Sequence, residues 1–150
     1  MASLVFNPFT GTLDFAEVGA GGGGDPATNR GTYTHLGGLA VGDAVYLSAS
    51  GQVALADANG PGTQPVIGLV QSVVGGTCVV QYSGEMAGFS GLVPRAIYYL
   101  STSGVSGSTI TATAPDIPPE TPPLISQKIG IAKSATVLLI KVDTDFTEIG

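Results

Sequence analysis

Short apolar runs, each closed by turn-forming residues, recur along the chain from about residue 31 onward. Ala44-Val45-Tyr46-Leu47, Gln52-Val53-Ala54-Leu55, Val66-Ile67-Gly68-Leu69-Val70 and Cys78-Val79-Val80-Gln81-Tyr82 are rich in β-branched and aromatic side chains, which suit a pleated, half-buried surface. Between them lie Ser50-Gly51, Asn59-Gly60-Pro61-Gly62 and Gly75-Gly76, where Gly admits positive φ, Pro fixes φ, and Asn and Ser bond their own backbone. Ile97 to Leu100, Thr109 to Ala112, Gln127 to Ala132 and Thr136 to Val142 continue the series. No stretch places apolar residues at i, i+3, i+4 between capping residues, so no helix is predicted. The pattern predicts an all-β fold, a small sandwich or barrel of short antiparallel strands. Val45, Leu47, Ile67, Leu69, Val79, Ile97, Tyr99, Ile129, Ile131, Leu138 and Ile140 are expected to point mostly inward.

The pattern repeats. Gly38-Leu39-Ala40-Val41-Gly42-Asp43-Ala44-Val45-Tyr46-Leu47-Ser48-Ala49-Ser50-Gly51 aligns without gaps on Gly91-Leu92-Val93-Pro94-Arg95-Ala96-Ile97-Tyr98-Tyr99-Leu100-Ser101-Thr102-Ser103-Gly104, with seven of fourteen positions identical. Ile67-Gly68-Leu69-Val70-Gln71-Ser72 then matches Ile129-Gly130-Ile131-Ala132-Lys133-Ser134, at a spacing nine residues longer in the second copy. The added length fits Asp116-Ile117-Pro118-Pro119-Glu120-Thr121-Pro122-Pro123, a stiff segment expected to project as a loop. Two similar halves are therefore expected, at about 38–82 and 91–142. Convergence of simple hairpin sequences is the competing explanation.

The front of the chain differs. Residues 1–18 carry Leu4, Val5, Phe6, Pro8, Phe9, Leu13 and Phe15 around Pro8 and Gly11. Pro8 blocks a helix through Asn7, which favours an extended or turning path. Residues 19–30 hold Gly19, Gly21, Gly22, Gly23 and Gly24, a run that reads as a hinge because glycine pays the largest conformational entropy on ordering. Residues 31–150 form the β-domain. Three phenylalanines in a segment set apart from that domain predict an anchoring arm. Folding back as an extra strand is the plainer alternative.

Bulk properties narrow the function. The chain has 150 residues, 43% hydrophobic but only 11% charged, against roughly 25% charged in a typical soluble domain. So little charge implies a Ser/Thr/Gly surface, or one covered by copies of the chain or by a partner. The net charge is −6, and the only basic residues are Arg30, Arg95, Lys128, Lys133 and Lys141. They form no dense stripe in sequence, so neither nucleic acid nor an anionic membrane surface is an expected partner. Met1-Ala2-Ser3 lacks a basic leader region and no run of about 18 apolar residues occurs, so neither a secretory signal nor a membrane span is expected. Cys78, the single cysteine, sits in the apolar run Thr77-Cys78-Val79-Val80 and is expected to be a small buried thiol.

Candidate chemistry is sparse. His35 is the only histidine, so a multi-histidine metal site or a nucleophile–base relay would rest on it alone. Gly19-Ala20-Gly21-Gly22-Gly23-Gly24 satisfies G-x-G-x-x-G formally, but Asp25-Pro26 follows with no helical pattern to present amides to a phosphate. Gly88-Phe89-Ser90-Gly91 lacks the spacing of a nucleophile elbow. Asp143 and Asp145 would share one strand face, yet no third ligand is near in sequence, and Asp14 with Glu17 is no better. No catalytic residue, metal or cofactor is expected.

Leu4-Val5-Phe6-Asn7-Pro8-Phe9-Thr10-Gly11-Thr12-Leu13-Asp14-Phe15 followed by the glycine run resembles the opening of tailed-bacteriophage virion proteins. Val41 to Leu47, Gly91 to Ser101 and Ile129 to Ser134 are similar to small β-domains of head-decoration, cement and fibre proteins. Arg95 departs from the resemblance, since such domains often carry Gly there, and a different turn is expected. The resemblance implies a structural, non-enzymatic role on the outer capsid surface of the virion. It also implies the major capsid protein as partner and self-association as a homotrimer. A tail or head fibre or adaptor protein is the alternative, and a host-factor or glycan-binding module a distant one. The chain ends at Gly150, soon after the last predicted strand, which favours decoration over a fibre with a distal receptor-binding part.

Overall fold

A computed structural model describes residues 6–7, 12–13, 29–102, 105–113 and 124–149. The chain divides into two units, residues 1–30 and 31–150. In the first, strands β1 (Phe6–Asn7) and β2 (Thr12–Leu13) pair antiparallel, Phe6 opposite Leu13 and Asn7 opposite Thr12. Leu4, Val5, Pro8, Phe9, Asp14, Phe15, Glu17, the glycines 19–24 and the Pro-rich segment 116–123 lie outside the described residues.

The rest is all-β, as the pattern predicts. The strands are β3 (Arg30–Thr34), β4 (Ala44–Leu47), β5 (Val53–Leu55), β6 (Val66–Val74), β7 (Thr77–Gln81) and β8 (Ser83–Ala87). They continue as β9 (Ile97–Leu100), β10 (Ile110–Thr111), β11 (Leu124–Ser126), β12 (Lys128–Ala132), β13 (Val137–Lys141) and β14 (Thr147–Ile149). One five-stranded sheet has the order β3-β7-β6-β4-β5 and the other β8-β13-β12-β9-β10, while β11 pairs with β14. The two orders correspond strand for strand, so the sequence repeat is a repeat of topology.

The correspondence reaches single residues. The β4–β6 register shifts between Val45 and Tyr46, and the β9–β12 register shifts between their counterparts Tyr98 and Tyr99. Gly68 stands opposite Val45, and Gly130 opposite Tyr98. A Cβ on Gly68 would overlap the Gln81 carbonyl, and one on Gly130 the Leu139 carbonyl. In both copies the neighbouring strand on the other side, β7 or β13, brings a carbonyl too close for any side chain, so both keep glycine.

Arg95 corrects an expectation. It takes φ 74°, as its counterpart Gly42 takes φ 94°. The turn is therefore conserved in shape despite the arginine. The Gly42 N–H donates to the Val70 carbonyl and the Arg95 N–H to the Ala132 carbonyl, both at 2.8 Å. That bond fixes the peptide, and Arg95 bears the left-handed strain, about 1–2 kcal/mol for a residue with a Cβ.

The halves bury their apolar faces differently. In the first, Val45, Val53, Val70, Cys78 and Val80 form a cluster flanked by Tyr33, Leu39, Ile67, Val73 and Tyr82. His35, just past β3, bridges to Val53 on β5, and the Leu36 N–H donates to the Val53 carbonyl at 3.1 Å. These contacts join the sheet's two edges and roll it into a barrel around the cluster. In the second half, Met86, Tyr98, Leu100, Ile129, Leu138 and Ile140 share one core with Ala44, Ala56, Val66 and Leu69 of the first. No bridge joins β8 to β10 among the described residues. Each fully buried Leu or Ile here contributes about 1.5–3 kcal/mol.

Several expected inward residues are corrected. Leu47, Ile97 and Ile131 are exposed, and Ile67, Val79 and Tyr99 are only half-buried. On β9 it is Tyr98 and Leu100 that turn inward, and on β7 Cys78 and Val80. A run of four apolar residues has no polar member to mark the solvent side, so alternation alone cannot set which parity faces in. Val45, Leu69, Ile129, Leu138 and Ile140 are buried as expected.

Candidate functional site

The buried polar residues join the two halves. Asp43 is fully buried at the start of β4. Its Oδ2 accepts from the Ala40 N–H at 2.8 Å and the Ser106 hydroxyl at 2.7 Å, and its Oδ1 from the Gly107 N–H at 2.5 Å. Thr109 Oγ1 accepts from the Ala44 N–H at 2.8 Å. Gln127 Oε1 accepts from the Val66 N–H at 2.9 Å, while its Nε2 donates to the Asp143 carbonyl at 2.9 Å. Backbone bonds from Ala58 N–H to Ser101 O and from Ile125 N–H to Ala58 O, both 2.9 Å, complete the seam. These groups fulfil one another's bonding needs inside the protein, which makes them structural groups.

The other candidates are also engaged locally. His35 Nδ1 accepts from the Gly37 N–H at 2.9 Å, so the ring proton belongs on Nε2, which reaches the Gly75 carbonyl at 3.0 Å. Asp143 and Asp145 are exposed, joined only by a turn bond from the Asp145 N–H to Asp143 Oδ1 at 3.1 Å. Cys78 is buried as expected, and burial pushes its thiol up, away from the reactive thiolate. Tyr33 and Tyr82 share a hydroxyl–hydroxyl bond of 2.5 Å. Burial first, then that bond and the neighbouring phenol, push the Tyr82 hydroxyl up to about 12. Among the described residues no group of three His, Cys, Asp or Glu could hold a metal ion, and no helix is long and apolar enough to cross a membrane.

What stands out is a row on the outer face of the second sheet. Ile97 on β9 faces Ile131 on β12, which faces Leu139 on β13, and Leu139 faces Glu85 on β8. The three apolar side chains are 38%, 39% and 37% exposed. The same row in the first sheet is Ala44, Leu69 and Gln81, paired across β4, β6 and β7, and it is 0%, 0% and 4% exposed. One row is thus core and its copy is surface.

Lysines frame the exposed row. Lys141 lies two residues beyond Leu139 on the same strand face. Lys128, Ile131 and Lys141 line a common recess of about 330 Å³. Lys133 Nζ reaches Glu85 Oε2 at 2.8 Å in an exposed ion pair, worth at most about 1 kcal/mol. Three of the five Lys and Arg residues in an acidic chain therefore gather on one apolar face. Sequence reasoning missed this surface by assigning Ile97 and Ile131 to the core. The available signal was Lys128, which occupies the place of the buried Val66. Of the expected arm residues, the structure places Phe6 and Leu13 opposite one another and describes none of the others.

Compared with known proteins, the chain matches no family model, no curated protein and no solved structure.

Proposed function

We propose that the chain is a non-enzymatic structural subunit of a tailed-bacteriophage particle, a decoration or cement protein bound to the outer capsid surface as a homotrimer. The observation that carries this reading is Phe6-Asn7-Pro8-Phe9-Thr10-Gly11-Thr12-Leu13-Asp14-Phe15 and its glycine run, set before a duplicated all-β body. Two further features support it. The buried polar side chains Asp43, Thr109 and Gln127 are used to join the halves, as befits a body that bears load. An exposed apolar row on a chain with few charges suits a surface that another subunit covers.

In this reading residues 1–18 dock on the major capsid protein. Phe6, Phe9 and Phe15 each contribute roughly 1.5–3 kcal/mol when buried in that partner. Three arms on one trimer add through effective concentration, so modest single contacts give tight attachment. The net charge of −6 keeps the body away from packaged DNA.

Deleting residues 1–18 tests the mechanism. A truncated protein that folds but no longer co-sediments with particles supports the anchor. One that decorates particles normally overturns it, and one that fails to fold assigns the segment to its own domain. Electron microscopy of particles carrying the full chain separates head from tail, and signal on the tail alone selects the fibre or adaptor reading instead.

A further inference from the structure

A three-fold ring contains no two-fold axis, so it closes only where two different patches of each chain meet. The repeat identifies both patches. In the first half, the row containing Ala44 and Leu69 shares a core with Leu100, Ile125 and Ile129 of the second half. The seam beside it runs through Ser101, Thr109 and Gln127. The first-half row therefore meets the end of β9. In the second half the equivalent row, Ile97, Ile131 and Leu139, is uncovered. At the other end of the chain, the counterpart of Leu100 is Leu47. Leu47 pairs with Val53 as Leu100 pairs with Ile110, yet Leu100 is fully buried and Leu47 is 49% exposed.

Each chain thus carries one uncovered row and one uncovered receiving leucine, and the contact that would satisfy them already exists between its own halves. We propose that Ile97, Ile131 and Leu139 of one copy dock against the Leu47 end of β4 in the next, repeating between chains the contact that joins the halves within one. The occupant of the row is therefore a second copy of this chain. The inference rests on the self-association reading for the number of copies, and not on a location in the virion.

Complementation tests the head-to-tail geometry. Ile131→Asp and Leu47→Asp are made separately in the full chain, at exposed positions that tolerate a polar residue. Masses are measured by size-exclusion chromatography with light scattering, and melting curves confirm that both variants fold. The expected result is a trimer for the parent chain, the mass of one chain for each variant alone, and a dimer when the two are mixed, because each supplies the face the other lacks. Val74→Asp, at an exposed hairpin position, leaves the parent mass unchanged. Retention of the parent mass in both single variants overturns this surface while leaving self-association standing. Two monomeric variants that do not combine on mixing also overturn it. A parent chain that is monomeric at all concentrations overturns the trimer reading together with the surface. If Ile131→Asp fails to melt cooperatively, Ile97→Ser with Leu139→Ser replaces it, and Leu47→Ser likewise replaces Leu47→Asp, with the same outcomes.

Discussion

The first and second halves share strand order, bulge and glycine, yet they solve the burial problem differently. The first closes on itself through His35 and Val53 and also covers its other face, so its central strands are buried on both sides. The second leaves one face open and fills its interior partly with residues of the first. The halves therefore share one backbone plan while side chains at equivalent places differ with their surroundings: Lys128 stands where the other half has Val66, and Leu139 where it has Gln81. A repeat unit does not determine which of its faces is core; its neighbours do.

Substitutions at paired positions sharpen or break that contrast. The largest difference is expected in the row itself. Leu69→Ala should destabilise the fold by about 2–5 kcal/mol. Ile131→Ala should stay within about 0.5 kcal/mol, both by urea unfolding at concentrations low enough to keep chains apart. Similar costs at the two positions would break the contrast. Next come the glycines. Gly68→Ala and Gly130→Ala should each cost about 1–3 kcal/mol, because the new methyl meets a strand carbonyl in both. A cost at one position only would show that the two close approaches are not alike.

The left-handed turn gives smaller effects of opposite sign. Gly42→Ala should cost about 1 kcal/mol and Arg95→Gly should gain a similar amount, read as shifts in melting temperature. The least is expected from alkali, through Tyr82 in the first half. The Tyr82 hydroxyl is held up at about 12, above its ordinary value of 10, so the folded state keeps its proton longer than the unfolded chain does. That stabilisation is complete below pH 10 and is lost as pH rises through about 12. Ultraviolet titration should show Tyr82 ionising late, and Tyr33→Phe should bring it earlier by removing the hydroxyl bond. A Tyr82 titration unchanged by that substitution would leave burial as its only cause.

Strand positions and the repeat were legible because the turns carry Gly and Pro and because the two halves share Gly-Leu, Tyr-Leu-Ser and Ile-Gly at matching places. Facing was less legible. Ile97-Tyr98-Tyr99-Leu100 is apolar throughout, and only the register with β12 shows that Tyr98 and Leu100 turn inward. Cys78 was readable from its apolar neighbours. The seam was not, since Asp43 meets Ser106 and Gly107 over 63 and 64 residues of separation, with no local pattern announcing the encounter. The exposed row needed both the repeat and the structure, with Lys128 as the one residue that marked it in advance.

The division of the interior into two clusters also sets the order in which their residues become available during synthesis. The cluster of Val45, Val53, Val70, Cys78 and Val80 draws only on residues up to Tyr82, so it is complete in the chain before the second half has left the ribosome. The other cluster needs Ala44, Val66 and Leu69 from that early body as well as Leu100, Ile125 and Ile129 from later segments. Every residue of the first cluster is therefore made before the strands that complete the second.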